Sequence, residues 1–158
     1  MRNPDYYDGI YQAPIGQLGI KVHSGKLCEL GWLKRSSAVP SRQRAAPVVT
    51  TIHAWLDAYF AGAVPARPPA LLLSGTPFQL RVWRALQQIS HGRVLTYGQL
   101  AAQLSTGSRA IGQACRANPV SVIVPCHRVV SANGLGGYGG ARGQLRHKRW
   151  LLHHEGHG

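Results

Sequence analysis

The 158-residue chain is 44% apolar and carries eighteen Lys and Arg against five Asp and Glu, a formal charge of +13. That is the composition of a folded soluble protein with one typical domain or two small ones, and no apolar run is long enough to span a bilayer. The opening "MRNPDYYDGI" has no apolar signal core, and three cysteines without a CxxC pair argue against a disulfide framework or a four-thiolate zinc site, so an intracellular, cytoplasmic location is expected.

The charge is uneven. From Gly75 onward ten Arg and Lys face one acid, Glu155. One-sided charge of this kind points to a polyanionic partner, most often nucleic acid.

In chain order, residues 9 to 33 read as short strands: "LGIKVH" alternates, "HSGK" turns, and "LCELGWL" resumes the pattern. "APVVTTIHAWLDAYFAG" puts Val48, Ile52, Trp55, Leu56 and Tyr59 at helical spacing, with Gly62 closing the helix. "VPARPP" then reads as extended backbone connecting two halves. Thr76-Pro77 is an N-cap followed by proline at the first helical position. Phe78, Val82, Ala85, Leu86 and Ile89 form the apolar stripe of that helix, and Gly92 ends it. Thr96 can cap a short helix, "YGQLAAQL". After the turn "STG", Ser108 can cap another that stops at Asn118-Pro119. Two short helices around such a turn are the helix-turn-helix arrangement, a weak signal by itself. The apolar run "VIV" reads as a buried strand that delivers Cys126 beside His127 and Arg128. A glycine-rich loop and a last helix, "QLRHKRWLLHHE", ended by Gly156, complete the chain.

If residues 108 to 117 are helical, Arg109, Gln113 and Arg116 share one face, and Ala110, Ala114 and Ala117 the neighbouring one. Small residues permit close approach, either to another helix or to a nucleic-acid groove. A free thiol has a pKa of roughly 8.5, which adjacent cations lower. His127 and Arg128 can supply that field, although side chains alternate along a strand. Glu155 can orient a histidine in a Cys-His-acid relay. "HHEGH" at 153 to 157 departs from the H-E-x-x-H zinc pattern and has Gly156 inside it, so no metal site is expected.

Taken together, "GTPFQLRVWRAL", "GRVLTYGQLA", "SRAIGQACRANP", "PCHRVV" and "WLLHHEG" closely resemble, in order, the O6-alkylguanine-DNA alkyltransferases. The strong resemblance covers about residues 75 to 156, and "APIGQL" and "LDAYFAG" extend it more loosely. It implies an α+β chain. A small ribonuclease-H-like domain would occupy residues 1–70, and a winged-helix-like domain with the helix-turn-helix and the alkyl-transfer site residues 71–158. It implies that Cys126 accepts the alkyl group, that His127 takes its proton through a water, and that Glu155 holds His127. Tyr97 would donate to guanine O6, Arg109 would fill the stack vacated by a flipped nucleotide, and Asn118 would tie the recognition helix to the cysteine loop. Thr96, Ser108, Ala110, Gly112 and Arg116 are the further DNA contacts expected. The backbone of Val129, Tyr138 and a donor at Gly139 would line the guanine pocket. Here Tyr138 is followed by "GGARGQLRHKR" before Trp150, a few residues longer than the family pattern.

The implied partner is double-stranded DNA carrying O6-alkylguanine, or also O4-alkylthymine, repaired irreversibly by a monomer without cofactor, metal or membrane. The chemistry is consistent with that reading. A base reacting at O6 must leave the stack, and displacement at an alkyl carbon needs a thiolate and a donor on the departing oxygen. A non-enzymatic DNA-binding regulator would have no use for the thiol. A cysteine hydrolase would leave the basic half unexplained.

Overall fold

The structure, a computed structural model, describes residues 7–34, 47–65, 67–137 and 144–157. The mixed α/β chain divides into two compact units, Met1–Leu73 and Ser74–Gly158.

In the first unit, strands β1 (Gly9–Ala13), β2 (Gly16–His23) and β3 (Lys26–Trp32) form an antiparallel meander in the order β1-β2-β3. The period-2 alternation sends Leu18, Ile20, Leu27 and Leu30 into the core, all fully buried. Each such side chain contributes about 1.5–3 kcal/mol through burial. A bulge between Lys21 and Val22 interrupts the register. Helix α1 (Pro47–Phe60) lies on this sheet through Val49, Ile52, Leu56 and Tyr59. Val49, not Val48, is the first buried position, and Trp55 is half-buried on the stripe's edge. Beyond the proline-rich stretch, Leu27 N–H donates to Ala70 O and Leu72 N–H to Leu27 O, both at 2.8 Å. Residues 70–72 therefore belong with β3, and the division falls after Leu73.

The second unit opens with α2 (Pro77–Gln87), capped by Thr76 as its sequence predicts and completed by a full capping box with Gln79. Thr76 Oγ1 accepts from Gln79 N–H, and Gln79 Oε1 accepts from Thr76 N–H. Val82, Trp83 and Leu86 are its buried face. Trp83, absent from the expected stripe, donates its indole N–H to Ala114 O at 2.9 Å and so ties α2 to the helix that carries Ala114. The helix ends at Gln87. Gly92, at φ +82°, instead turns the chain five residues later. Strand β4 (Leu95–Thr96) leads directly into α3 (Tyr97–Gln103), whose capping box pairs Thr96 with Gln99. After a short turn comes α4 (Ser108–Arg116). Ser108 is its first helical residue rather than its cap. Gly107 occupies the extended N-cap position, and no side-chain cap hydrogen bond forms there among the described residues.

The expected strand before Cys126 does not form. Residues 121–124 are a folded turn, in which Ile123 N–H donates to Ser121 O and Val124 N–H to Val120 O. Val122 sits at φ +70°, a conformation costing a β-branched residue on the order of 1–3 kcal/mol. Asn118 holds this turn: its Oδ1 accepts from Val120 N–H at 3.0 Å and its Nδ2 donates to Val124 O at 2.8 Å. A 3-10 turn, Cys126–Arg128, follows, then β5 (Val129–Val130), which pairs in parallel with β4 through Leu95↔Val129 and Thr96↔Val130. Helix α5 (Leu145–His154) closes the unit, and Gly156 turns the chain at φ +100°.

Candidate active site

The β4–β5 pairing anchors the site. In its parallel register Tyr97, which follows β4, continues toward Ser131, while the turn carrying Cys126, His127 and Arg128 precedes β5 at the other end of this two-residue ladder. Tyr97 is close enough to Cys126 to interact with it electrostatically. The asparagine-braced turn fixes the approach to Cys126 from the other side. In a 3-10 turn successive side chains fan out by about a third of a turn. Three consecutive residues thus reach three different places.

Cys126 is buried, 6% exposed. Burial pushes its thiol up, opposed by a hydrogen bond from Asn118 and the charge of Lys148. His127 is fully buried, and its Nε2 lies 2.7 Å from Glu155 Oε2. Burial pulls its pKa down, while the hydrogen bond and charge of Glu155 act the other way. His127 Nδ1 is buried without a hydrogen-bond partner among the described residues. With Nε2–H donating to the carboxylate, Nδ1 is the ring atom that can accept a proton.

Arg128 does not face the thiol as a flanking cation. Its Nε donates to Glu155 Oε1 at 2.7 Å, its Nη2 to Oε2 at 3.1 Å, and its Nη1 to Ile89 O at 2.7 Å. Glu155 is therefore drawn inward from the "HHEGH" segment, and His157 Nε2 meets Gly92 O. Among the described residues no group of three or more His, Cys, Asp or Glu is placed to hold a metal ion.

Lys148 was missed by sequence reasoning. Its side chain is fully buried, and its ammonium donates to Val129 O at 2.7 Å, Gly137 O at 2.9 Å and Tyr97 Oη at 3.5 Å. Burial lowers its pKa to about 8, against the raising influence of Cys126 and Cys115. The signal was available: Lys148 shares a helical face with Leu151, Leu152 and Glu155, at positions i, i+3, i+4 and i+7. Tyr97 Oη also donates to Gly137 O at 3.3 Å, and burial raises its pKa to about 12. Cys115, whose thiol burial pushes up to about 12, interacts electrostatically with Cys126, Tyr97 and Lys148 and so shares their neighbourhood.

On α4, Ser108, Arg109, Gln113 and Arg116 are exposed, and Ala110 and Gly112 are half-buried. A Cβ on Gly112 would meet nothing within 4 Å, so this side of the helix can be approached closely. The small-residue face is not continuous, because Ala114 is buried and its carbonyl receives Trp83. The Thr96 hydroxyl is engaged in capping α3. Val129 places its carbonyl on Lys148. Tyr138 and Gly139 lie outside the described residues.

Comparison with known proteins follows the same outline. Residues 77–157 match the family described as "6-O-methylguanine DNA methyltransferase, DNA binding domain". The methylated-DNA–protein-cysteine methyltransferase of Mycobacterium bovis is 40% identical over 146 residues, 89% of this chain and 86% of that protein. The Salmonella typhimurium protein of the same name is 55% identical over 86 residues, and there the match spans 52% of this chain and only 48% of the relative. The crystal structure of Mycobacterium tuberculosis OGT in complex with DNA superposes with a TM-score of 0.78 at 38% identity, covering 92% of this chain and 90% of that one. By the family match over the second unit and the near full-length likeness to the mycobacterial proteins, this chain belongs to the 6-O-methylguanine DNA methyltransferase family.

Proposed function

We propose that the protein repairs duplex DNA by transferring the alkyl group of O6-alkylguanine, and of O4-alkylthymine as a second substrate, to Cys126. The observation that carries this reading is a buried cysteine in the electrostatic neighbourhood of the Tyr97–Lys148 pair and next in the chain to a histidine hydrogen-bonded to Glu155. His127 Nδ1 takes the thiol proton, directly or through one water. The thiolate attacks the alkyl carbon, an S–C bond forms as the C–O6 bond breaks, and the bonding pair passes to the guanine. Tyr97 Oη supplies the proton-donating contact at O6, and the Lys148 ammonium stands behind it as the next donor. Asn118 braces the turn that carries the nucleophile.

Delivery to a buried thiol requires the base to leave the helix. Arg109, exposed in the first turn of α4, fills the gap it leaves. Thr96, Ser108, Ala110, Gly112 and Arg116 approach the DNA beside it, and the Val129 backbone, Tyr138 and Gly139 line the base pocket. The second unit acts as a winged-helix-like DNA reader, supported by the α3–turn–α4 pair, and the first is ribonuclease-H-like. The protein acts as a monomer.

Incubation with O6-methylguanine duplex followed by intact-protein mass measurement tests the assignment. A methyl adduct on Cys126 is expected, and binding without an adduct would favour a regulator. DNA binding itself should weaken with salt by about 0.9 log units per log unit of salt for each phosphate neutralised, as measured by fluorescence titration. Arg109→Ala should slow repair of duplex far more than reaction with the free O6-methylguanine base. Equal losses on both substrates would remove Arg109 from base extrusion.

A further inference from the structure

Glu155 is a carboxylate with a fully buried side chain. A charge so placed is sustained only by a close partner of opposite sign. His127 and Arg128 both hydrogen-bond to it, and their roles are not interchangeable. A guanidinium is charged at every relevant pH and fits a carboxylate with two parallel bonds. Here the third arm is spent on Ile89 O, which fixes the plane of the fork.

We propose that Arg128 is a positioning residue of the relay: by supplying the counter-charge of Glu155 it leaves His127 uncharged and able to take the Cys126 proton. The proposal rests on the reading of Cys126 as the nucleophile. With arginine, carboxylate and neutral imidazole, the relay carries no net charge. Moving the thiol proton to His127 then creates a thiolate and an imidazolium without exchanging a proton with solvent. The other cation bearing on His127 acts in the same direction. Lys148 from α5 opposes a charged His127, as does Arg128 itself. His91, from the loop after α2, feels Glu155, Arg128 and His154, and burial lowers its pKa. Without the guanidinium, Glu155 would draw its counter-charge through His127 by taking a proton from solvent. His127 would then already be loaded, and the thiol would have to lose its proton to bulk water.

The test follows carboxamidomethylation of Cys126 by iodoacetamide against pH, located by peptide mass. This readout needs neither DNA nor an alkylated base, so it stands even if the repair reaction does not. Arg128→Met should make the rate at neutral pH rise about tenfold per pH unit, because the thiol proton is lost to solvent, where the parent, transferring it internally to His127, changes less than twofold. Arg128→Lys, which keeps the charge, should keep the parent pH profile. In a Glu155→Gln background, Arg128→Met should add less than a twofold further loss, because no carboxylate remains to be balanced. A parent-like profile in Arg128→Met, an equal shift in Arg128→Lys, or additive losses in the double variant would each overturn the proposal. If Arg128→Met does not fold, the comparison of Arg128→Lys with the neutral Arg128→Met/Glu155→Gln pair decides it.

Discussion

Given a molar excess of duplex containing O6-methylguanine, the protein should take up one methyl group per molecule and then stop. A cysteine hydrolase forms a thioester, whose carbonyl water can attack, and so turns over. Methylated Cys126 would be a thioether with no electrophilic carbonyl. Neither His127 nor Tyr97 offers a route to break its S–C bond. The burst should equal the active protein, and the adduct should persist on dilution. Peptide mapping should place the methyl on Cys126, and Cys126→Ala should show none. The other thiols make this a demanding test. Cys28 is buried and its Sγ donates to Lys21 O at 3.1 Å. Cys115 shares the electrostatic neighbourhood of Cys126, yet burial pushes its thiol to about 12, so it holds its proton through the neutral range. A methyl on Cys115 would move the nucleophile, and sustained turnover would sink the alkyltransferase reading.

What could be read from the sequence divides by the range of the interaction. The N-caps at Thr76 and Thr96 were legible because a cap acts within three residues, although Gln79 and Gln99, which complete each capping box, were not part of that reading. The meander and α1 were legible because their apolar periods, 2 and 3.6, match their burial. The segment before Cys126 was misread for the converse reason. An apolar run buried on all sides carries no period, so strand and folded turn look alike. What decided between them is Asn118, whose side chain bonds to Val120 and Val124 and closes the turn.

The site shows the same split. Cys126, His127, Tyr97 and Glu155 follow from motif resemblance; the fold pairs His127 with Glu155 and puts Tyr97 in the electrostatic neighbourhood of Cys126. The direction of Arg128 was not legible. Read as a strand, Arg128 would alternate with His127; in a 3-10 turn it swings to Glu155 and Ile89. Lys148 is easily passed over, despite sharing a face with Leu151, Leu152 and Glu155, because a lysine in a basic helix is ordinarily solvated. Its burial is tolerable because two carbonyls, from Val129 and Gly137, receive the ammonium. That placement gives the buried thiol a cation which the motif itself does not contain.

Tyr97→Phe should leave the fold intact and slow methyl transfer on the order of 10²–10³, the usual cost of losing one preorganised donor to developing negative charge. The ring is held independently of its hydroxyl. Gly136, at φ +75°, packs so closely that a Cβ there would lie 2.6 Å from Tyr97 Cε2, and the Lys148 ammonium stands 5.6 Å from the ring centroid. Removing the hydroxyl orphans nothing, since Gly137 O keeps its 2.9 Å bond from Lys148. Thermal unfolding should therefore shift by no more than about 1 kcal/mol, the net worth of one hydrogen bond. With its pKa raised to about 12 by burial, Tyr97 remains a protonated donor throughout the neutral range. The deficit in Tyr97→Phe should accordingly be the same at pH 6 and pH 8. Carboxamidomethylation of Cys126 by iodoacetamide separates the two halves of the reaction. Iodide leaves without a donor, so Tyr97→Phe should react at the parent rate. Equal losses with iodoacetamide and with O6-methylguanine would mean that Tyr97 acts on the thiol and not on the departing oxygen.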